Sequence, residues 1–117
     1  MPPLPVSYFA RRTDDYLQIL IRFIEIESPS TDKAAVDRFG VVVAAELQSL
    51  GAIVEIVPQP VMGDHLIGRF PGRGESGGIL IMCHMDTVHS MGALRANPAR
   101  VSGTKLFGPG AVDMKGS

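Results

Sequence analysis

The 117-residue sequence has little of several features that mark specialised classes of protein. Its one cysteine, Cys83, excludes an internal disulfide and fits a reducing compartment such as the cytoplasm. The net charge is −1, so neither nucleic acid nor an anionic membrane is a predicted partner. No apolar run approaches the ~20 residues that span a bilayer, and residues 1–5 lack the pattern of a secretory signal. The overall composition, 45% hydrophobic and 20% charged, is ordinary for a soluble domain.

Two amphipathic helices are predicted in the first half of the chain. Residues 7–27 carry apolar side chains on one face and polar side chains on the other, and Pro29 ends this helix. A second helix is expected to begin at a Ser30 or Thr31 cap, with Asp32 in its first turn, and to end at Gly51. Its core stripe follows helical spacing: Val36, Phe39, Val43, Leu47 and Leu50.

Three strands are predicted next, over residues 52–57, 64–70 and 78–83, and shorter extended pieces near residues 100–101 and 105–107. The run 78–83 is aliphatic and bounded by glycines, which is typical of a buried strand. The order of helices and strands predicts an α/β fold with a sheet only partly encoded here. Residues 1–7 form a proline-rich lead that we expect to be poorly ordered.

Polar side chains gather after the third predicted strand. His84 and Asp86 lie where open α/β sheets place their ligand sites, and side chains two apart on a strand share a face. Asp86 can therefore orient the His84 ring and leave its second nitrogen free for a metal. A further carboxylate, Asp113, follows on a glycine-rich turn that permits close backbone approach. Two acids and one histidine are the beginning of a hydrolytic zinc site.

Two motifs carry a family resemblance: His84-x-Asp86-Thr87-Val88, and Gly108-x-Gly110-x-x-Asp113-x-Lys115-Gly116. Together they resemble the signature of the zinc-dependent aminoacylase and carboxypeptidase family, which includes acetylornithine deacetylase, succinyl-diaminopimelate desuccinylase and the glutamate carboxypeptidases. Residues 62–68, 90–94 and 98–109 resemble the glutamate carboxypeptidase branch most. The resemblance covers most of residues 8–117.

The resemblance implies a role for each matched residue. His84 would bind one of two zinc ions, Asp86 would orient His84 as part of the catalytic machinery, and Asp113 would bridge both ions. It also implies a cis peptide between Asp113 and Met114. The family's glutamate pair, its remaining ligands and its dimerisation domain have no counterparts in this sequence. Residues 8–117 are therefore expected to be a truncated N-terminal portion of the catalytic domain, and full-length relatives are often dimers.

The activity implied by the resemblance is that of a zinc exopeptidase cleaving an amide bond next to a C-terminal amino acid, with glutamate as the first choice. The substrate would be a small peptide or an N-acyl amino acid, and we expect the chain to be inactive by itself. An N-acyl amino acid deacylase of the same family is one alternative. A non-catalytic vestigial or interaction domain is another.

Other conspicuous residues have structural explanations that we favour. His65 falls inside a predicted strand and is expected at the surface or in a local hydrogen bond; His89, near the site mouth, is a weak candidate for substrate contact. Cys83 should face away from His84 and pack in the interior. Lys115 is expected to be solvated or paired with a nearby carboxylate. The glycine-rich stretches lack the Gly-Lys-Ser ending of a P-loop, which excludes a phosphate-binding loop of that type.

Overall fold

The computed structural model describes residues 2–74 and 76–117. The first helical region, predicted as one helix over residues 7–27, is divided into α1 (Val6–Ala10) and α2 (Thr13–Ile24). α3 spans Lys33–Ser49. Helix α1 begins within the proline-rich lead, whose preceding residues 2–5 are exposed.

The capping of α3 differs in part from the sequence prediction. Asp32, and not Ser30 or Thr31, is the N-cap, because its side chain accepts a hydrogen bond from Ala35 N at 3.0 Å. At the other end Gly51 has a φ of +97°, and its amide donates to Gln48 O at 2.9 Å. Glycine commonly adopts the left-handed conformation just after the last turn of a helix. The predicted end of the helix at Gly51 is therefore confirmed.

The strands form two separate antiparallel hairpins. β1 (Ile53–Val57) pairs with β2 (His65–Arg69), so that Ile53 lies opposite Arg69 and Val57 opposite His65. After the short helix α4 (Ala93–Ala96), β3 (Arg100–Ser102) pairs with β4 (Lys105–Phe107). The parallel pairing between the described residues is a single bridge, Pro29 with Thr87, so the strands do not form one mixed sheet.

The prediction of a buried strand over residues 78–83 is wrong for the residues that the structure describes. This run has no strand partner there, and Ile79 and Leu80 are 92% and 83% exposed. A strand buried on both faces needs neighbouring strands and covering helices, and neither packs against this run. Cys83, expected in the interior, is exposed for the same reason.

The core lies between α2, α3 and the β1–β2 hairpin. Its buried apolar residues are Ile24, Ala35, Val36, Phe39, Ala44 and Ala52. Phe23 meets Phe39 edge to face with ring centroids 5.3 Å apart, a favourable geometry for aromatic pairs. The molecule is flat, 46 × 42 × 19 Å, and its radius of gyration of 15.8 Å exceeds the roughly 13.4 Å of a compact domain this long. The hydrophobic core is therefore small for the extent of the molecule. No helix among residues 2–74 and 76–117 has the length and apolarity needed to cross a membrane.

Candidate metal centre

The segment that follows His84 is fixed to the connection between α2 and α3. Thr87 N donates to Ser28 O at 2.8 Å, and Ser30 N donates to Thr87 O at 2.9 Å. The fully buried Ser28 adds a side-chain bond, from its hydroxyl to Met85 O at 2.8 Å. These bonds form because Pro29, which has no amide hydrogen, leaves the chain extended between two serines. Residues 85–87 are thus held at the edge of the helical core.

The three residues predicted to form the site lie together. The His84 ring is between two carboxylates: Nδ1 is 3.0 Å from Asp86 O and 3.2 Å from Asp86 Oδ1, and Nε2 is 2.8 Å from Asp113 Oδ1. The contacts of Asp86 with one ring nitrogen are those expected of an orienting carboxylate. The second nitrogen faces Asp113, 29 residues further along the chain.

Asp113 is carried on the turn Ala111–Lys115, whose backbone departs from helical angles at Asp113 and Met114. The turn begins after Gly110, which has a φ of +76° and where a Cβ would lie only 2.7 Å from a Thr87 methyl carbon. A glycine is required there by conformation and by space. The Asp113–Met114 peptide is cis, as the resemblance implied, and Met114 Sδ accepts a hydrogen bond from His84 N at 3.3 Å.

Lys115 fastens this turn to α2, which corrects the expectation that it is solvated or paired with a carboxylate. It is buried, and its ammonium donates to Phe23 O at 2.9 Å and Ile26 O at 2.5 Å. The same group lies 4.2 Å from the centroid of the Phe39 ring. Phe23 O also accepts a hydrogen bond from Ile26 N at 3.3 Å, so the buried cation adds a further donor at the C-terminal end of α2, where the helix dipole favours a positive charge. Burial lowers the pKa of Lys115 to about 8.

The electrostatics of the site follow from these contacts. The hydrogen bond that Asp113 accepts from the ring is the main cause that raises the pKa of His84 above its usual value. The Ser30 hydroxyl, bonded to Asp86 Oδ2, is the main cause that lowers the pKa of the Asp86 carboxyl. An imidazole between two carboxylates binds its second proton more tightly than a free imidazole does. A metal ion at Nε2 would have to displace that proton.

The donors suit zinc in kind, since an imidazole nitrogen and a carboxylate oxygen are both common zinc ligands. Their number is small. No three His, Cys, Asp or Glu side chains converge on one point in the part of the chain that the structure describes. A catalytic zinc normally has three protein ligands, so His84 and Asp113 fit one side of a centre and do not complete it.

The remaining candidates lie apart from this pair of donors. His65 is exposed on β2, in agreement with its surface interpretation. His89 lines a cavity of about 10 Å³ with Ile24 and Thr87. This space barely accommodates one water, so a substrate contact by His89 would have to come from outside it.

Sequence reasoning missed three residues that support the site. Ser30 was predicted only as a possible helix cap and Ser28 received no role, although a serine pair flanking Pro29 was the available signal. Glu27 accepts hydrogen bonds from Gly92 N and Leu94 N, each at 2.9 Å, and so joins the loop after the site to the segment that follows α2. These backbone hydrogen bonds lower the pKa of Glu27.

The chain is similar to one characterised enzyme over nearly its whole length. It is 36% identical to Carboxypeptidase G2 of Pseudomonas sp. (strain RS-16) in an alignment 113 residues long that covers 92% of this chain. The aligned region spans only 27% of the length of that relative. No family model matches the sequence. The similarity relates this chain to a carboxypeptidase, over a region of about a quarter of that enzyme.

Proposed function

We propose that this chain supplies one side of the zinc centre of a carboxypeptidase-type hydrolase, with His84 and Asp113 as ligands and Asp86 as the residue that orients His84. The observation that carries the proposal is the placement of His84 between Asp86 and Asp113, at 3.2 Å and 2.8 Å. The similarity to Carboxypeptidase G2 supports the class of reaction.

In this proposal each residue has a defined task. Asp86 accepts the hydrogen of His84 Nδ1, which leaves the Nε2 lone pair for the metal. Asp113, 76% exposed, presents a carboxylate with oxygens for two ions. Zinc, when bound, would lower the pKa of a coordinated water to about 7 and polarise the scissile carbonyl. The group that accepts the water's proton is not among these three residues.

The proposed substrate class is a peptide or N-acyl amino acid with a free C-terminal carboxylate, glutamate first. The proposed domain is residues 8–117, as part of a catalytic unit with two zinc ions. With two ligands from this chain, we expect weak zinc binding and no hydrolysis by the chain alone.

The test is a calorimetric titration of the metal-free chain with zinc at neutral pH. We expect one weak site, with affinity at least about tenfold lower in His84→Ala and in Asp113→Ala, because each removes half of the donor set. His65→Ala and Asp15→Ala are the matched controls, since each removes an exposed residue of the same type elsewhere.

The outcomes separate the hypotheses. Binding that is indifferent to His84 and Asp113, or equally reduced in the controls, would contradict the proposed ligands and favour a non-catalytic domain. Tight stoichiometric zinc binding that is lost in both site variants would support His84 and Asp113 as ligands. It would contradict the expected low affinity of the chain for zinc. Release of glutamate from an N-acyl glutamate by the chain alone would contradict the expected inactivity.

A further inference from the structure

Residues 79–83 form an exposed apolar segment directly before His84. Four of its side chains are between 79% and 92% exposed: Ile79, Leu80, Ile81 and Met82. Successive side chains of an extended segment point to opposite sides, so both faces of this run are open to solvent. The run contains no helix, turn or bend, and no backbone hydrogen bond joins it to another residue that the structure describes. Its amides and carbonyls are therefore free to pair with a further strand.

The run differs in charge from the four strands of the two hairpins. Each of those strands carries a charged side chain: Glu55 in β1, Arg69 in β2, Arg100 in β3 and Lys105 in β4. Charged side chains on an edge strand oppose pairing with another chain. Residues 79–83 contain neither a charge nor a proline, so their composition does not oppose such pairing.

A second copy of the same run is a suitable partner in charge and in direction. A neutral apolar strand that pairs with its own copy brings no like charges together. Soluble dimers most often have twofold symmetry, in which the same surface of each copy meets the other. About a twofold axis across the strands, a strand and its copy run antiparallel, which is also the commoner direction of strand pairing.

We propose that residues 79–83 are a self-association surface, at which the run pairs antiparallel with the same run of a second copy about a twofold axis at Ile81. The chain then forms a dimer through a continuous two-stranded ladder. This inference concerns a surface next to the zinc ligands and does not rest on the proposed function.

The register follows from the composition of the run. With the axis at Ile81, that residue faces its own copy, Leu80 faces Met82, and Ile79 faces Cys83. Every apolar side chain of the run then lies opposite another one. A shift of the axis toward either end would place apolar side chains opposite the glycines before the run or opposite the residues of the proposed zinc site after it.

The available area sets the strength of this dimer. Burying one aliphatic side chain removes roughly 60–120 Å² of apolar surface from water, so four from each copy cover at most roughly 500–1,000 Å². Stable interfaces generally bury about 1,200–2,000 Å². We therefore expect a weak dimer, with a Kd on the order of 100 µM, and a monomer with an exposed run at a few micromolar.

The first experiment is cysteine cross-linking at about 100 µM chain, with diamide as the oxidant. Residues directly opposite each other in an antiparallel pair have Cα atoms about 4.5–5.5 Å apart, which a disulfide can span. The double variant Ile81→Cys, Cys83→Ser should therefore form a covalent dimer at least about tenfold faster than Val61→Cys, Cys83→Ser. Val61 is the matched control because it is exposed to a similar extent on a loop away from the run.

The native cysteine tests the register. In the proposed pairing the two Cys83 residues are four positions out of step, about 14 Å apart, which is too far for a disulfide. The wild type should therefore cross-link no faster than the Val61 control. Ile79→Cys with Cys83 retained should cross-link rapidly, since residue 79 faces Cys83 of the other copy.

Sedimentation velocity from about 1 to 500 µM measures association without a covalent bond. Ile81→Lys places two ammonium groups directly opposite each other, so it should raise the Kd of the dimer at least about tenfold. Val61→Lys, which adds the same charge elsewhere, should leave the Kd unchanged. Because both side chains are exposed, neither substitution should disturb the folded monomer.

Three results would contradict the inference. A wild type that stays monomeric up to 500 µM would overturn it and would favour a strand of a different protein as the partner of this run. Association that Ile81→Lys does not weaken would assign the contact to another surface. Cross-linking through native Cys83 as fast as through residue 81 would indicate parallel pairing or non-specific aggregation.

Discussion

The two halves of the run that leads into the site differ sharply. Residues 78–83 carry no charged or polar side chain except the thiol of Cys83, yet Ile79 is 92% exposed and no backbone hydrogen bond joins this run to any described residue. Residues 85–87 include a carboxylate and a hydroxyl, yet Thr87 is 6% exposed and bonded on both sides to residues 28–30. His84 lies at the boundary between them.

Apolar character alone therefore does not bury an extended segment. A strand must satisfy its amides and carbonyls, and it does so only where another segment offers complementary groups. The connection around Pro29 offers them to Met85 and Thr87. Nothing among the described residues offers them to residues 79–83, so a more apolar sequence remains at the surface.

The largest expected effect comes from comparing one isoleucine in each environment. Ile24 is 1% exposed, and a Cβ at Gly108 would lie only 2.6 Å from its side chain, so it packs against the backbone that leads to the Asp113 turn. We expect Ile24→Ala to lower the free energy of unfolding by about 2–5 kcal/mol. Ile79→Ala should change it by less than about 0.5 kcal/mol.

Denaturant unfolding, repeated over a range of protein concentrations, measures both values. Similar losses of unfolding free energy for the two variants would contradict the exposure of Ile79, because they would mean that residues 79–83 are packed in solution. A loss for Ile79→Ala that grows with concentration would assign that packing to association between chains.

A smaller effect should follow from Lys115→Met, which removes the donor to Phe23 O and Ile26 O while keeping most of the side-chain volume. Ile26 O would lose this donor, whereas Phe23 O would keep the hydrogen bond from Ile26 N, so we expect a loss of about 1–3 kcal/mol in the free energy of unfolding. Lys105→Met on the exposed side of β4 is the matched control and should be nearly neutral. Equal stability of the two variants would show that the Asp113 turn does not depend on this attachment.

The smallest change in stability is expected from the surface salt bridges of Lys33. Lys33 Nζ lies 2.9 Å from Asp37 and 2.6 Å from Asp64, and so joins the start of α3 to the segment before β2. Lys33 lowers the pKa of Asp64; the Asp64 amide, and then Lys33, lower the pKa of Asp37. Carboxyls with lowered pKa values contribute stability above about pH 4, and this contribution is lost as the pH falls through their folded pKa values.

Lys33→Met should therefore have a lower free energy of unfolding than the wild type near pH 6. The difference between the two proteins should become smaller below pH 4. Urea unfolding at several pH values, in low and high salt, measures it. A gap that stays constant into the acid range would mean that the lysine acts through packing of its methylenes and not through its charge.

The sequence predicted the helices and the site residues for definite reasons. The stripes around Ile24 and Phe39 follow helical spacing, and a helix closes its hydrogen bonds locally, so its pattern is visible without a partner. His84, Asp86 and Asp113 could be predicted to lie together because the motifs around them resemble a known family, and the structure brings the three side chains into contact. Ser30 could not, since its partner Asp86 lies 56 residues away and no local pattern connects them.

The features that followed from the sequence are therefore local: amphipathic helices, the stop at Gly51, the strands near residues 53–57 and 65–69, and the residue types that can hold a metal. Tertiary structure alone decided that Lys115 lies under Phe39, that two serines hold the segment around Asp86, and that residues 79–83 lie exposed. The physical reason is the range of the interactions. Helical hydrogen bonds join residues four apart, whereas strand partners and buried polar contacts join distant segments, and only the folded chain brings these together.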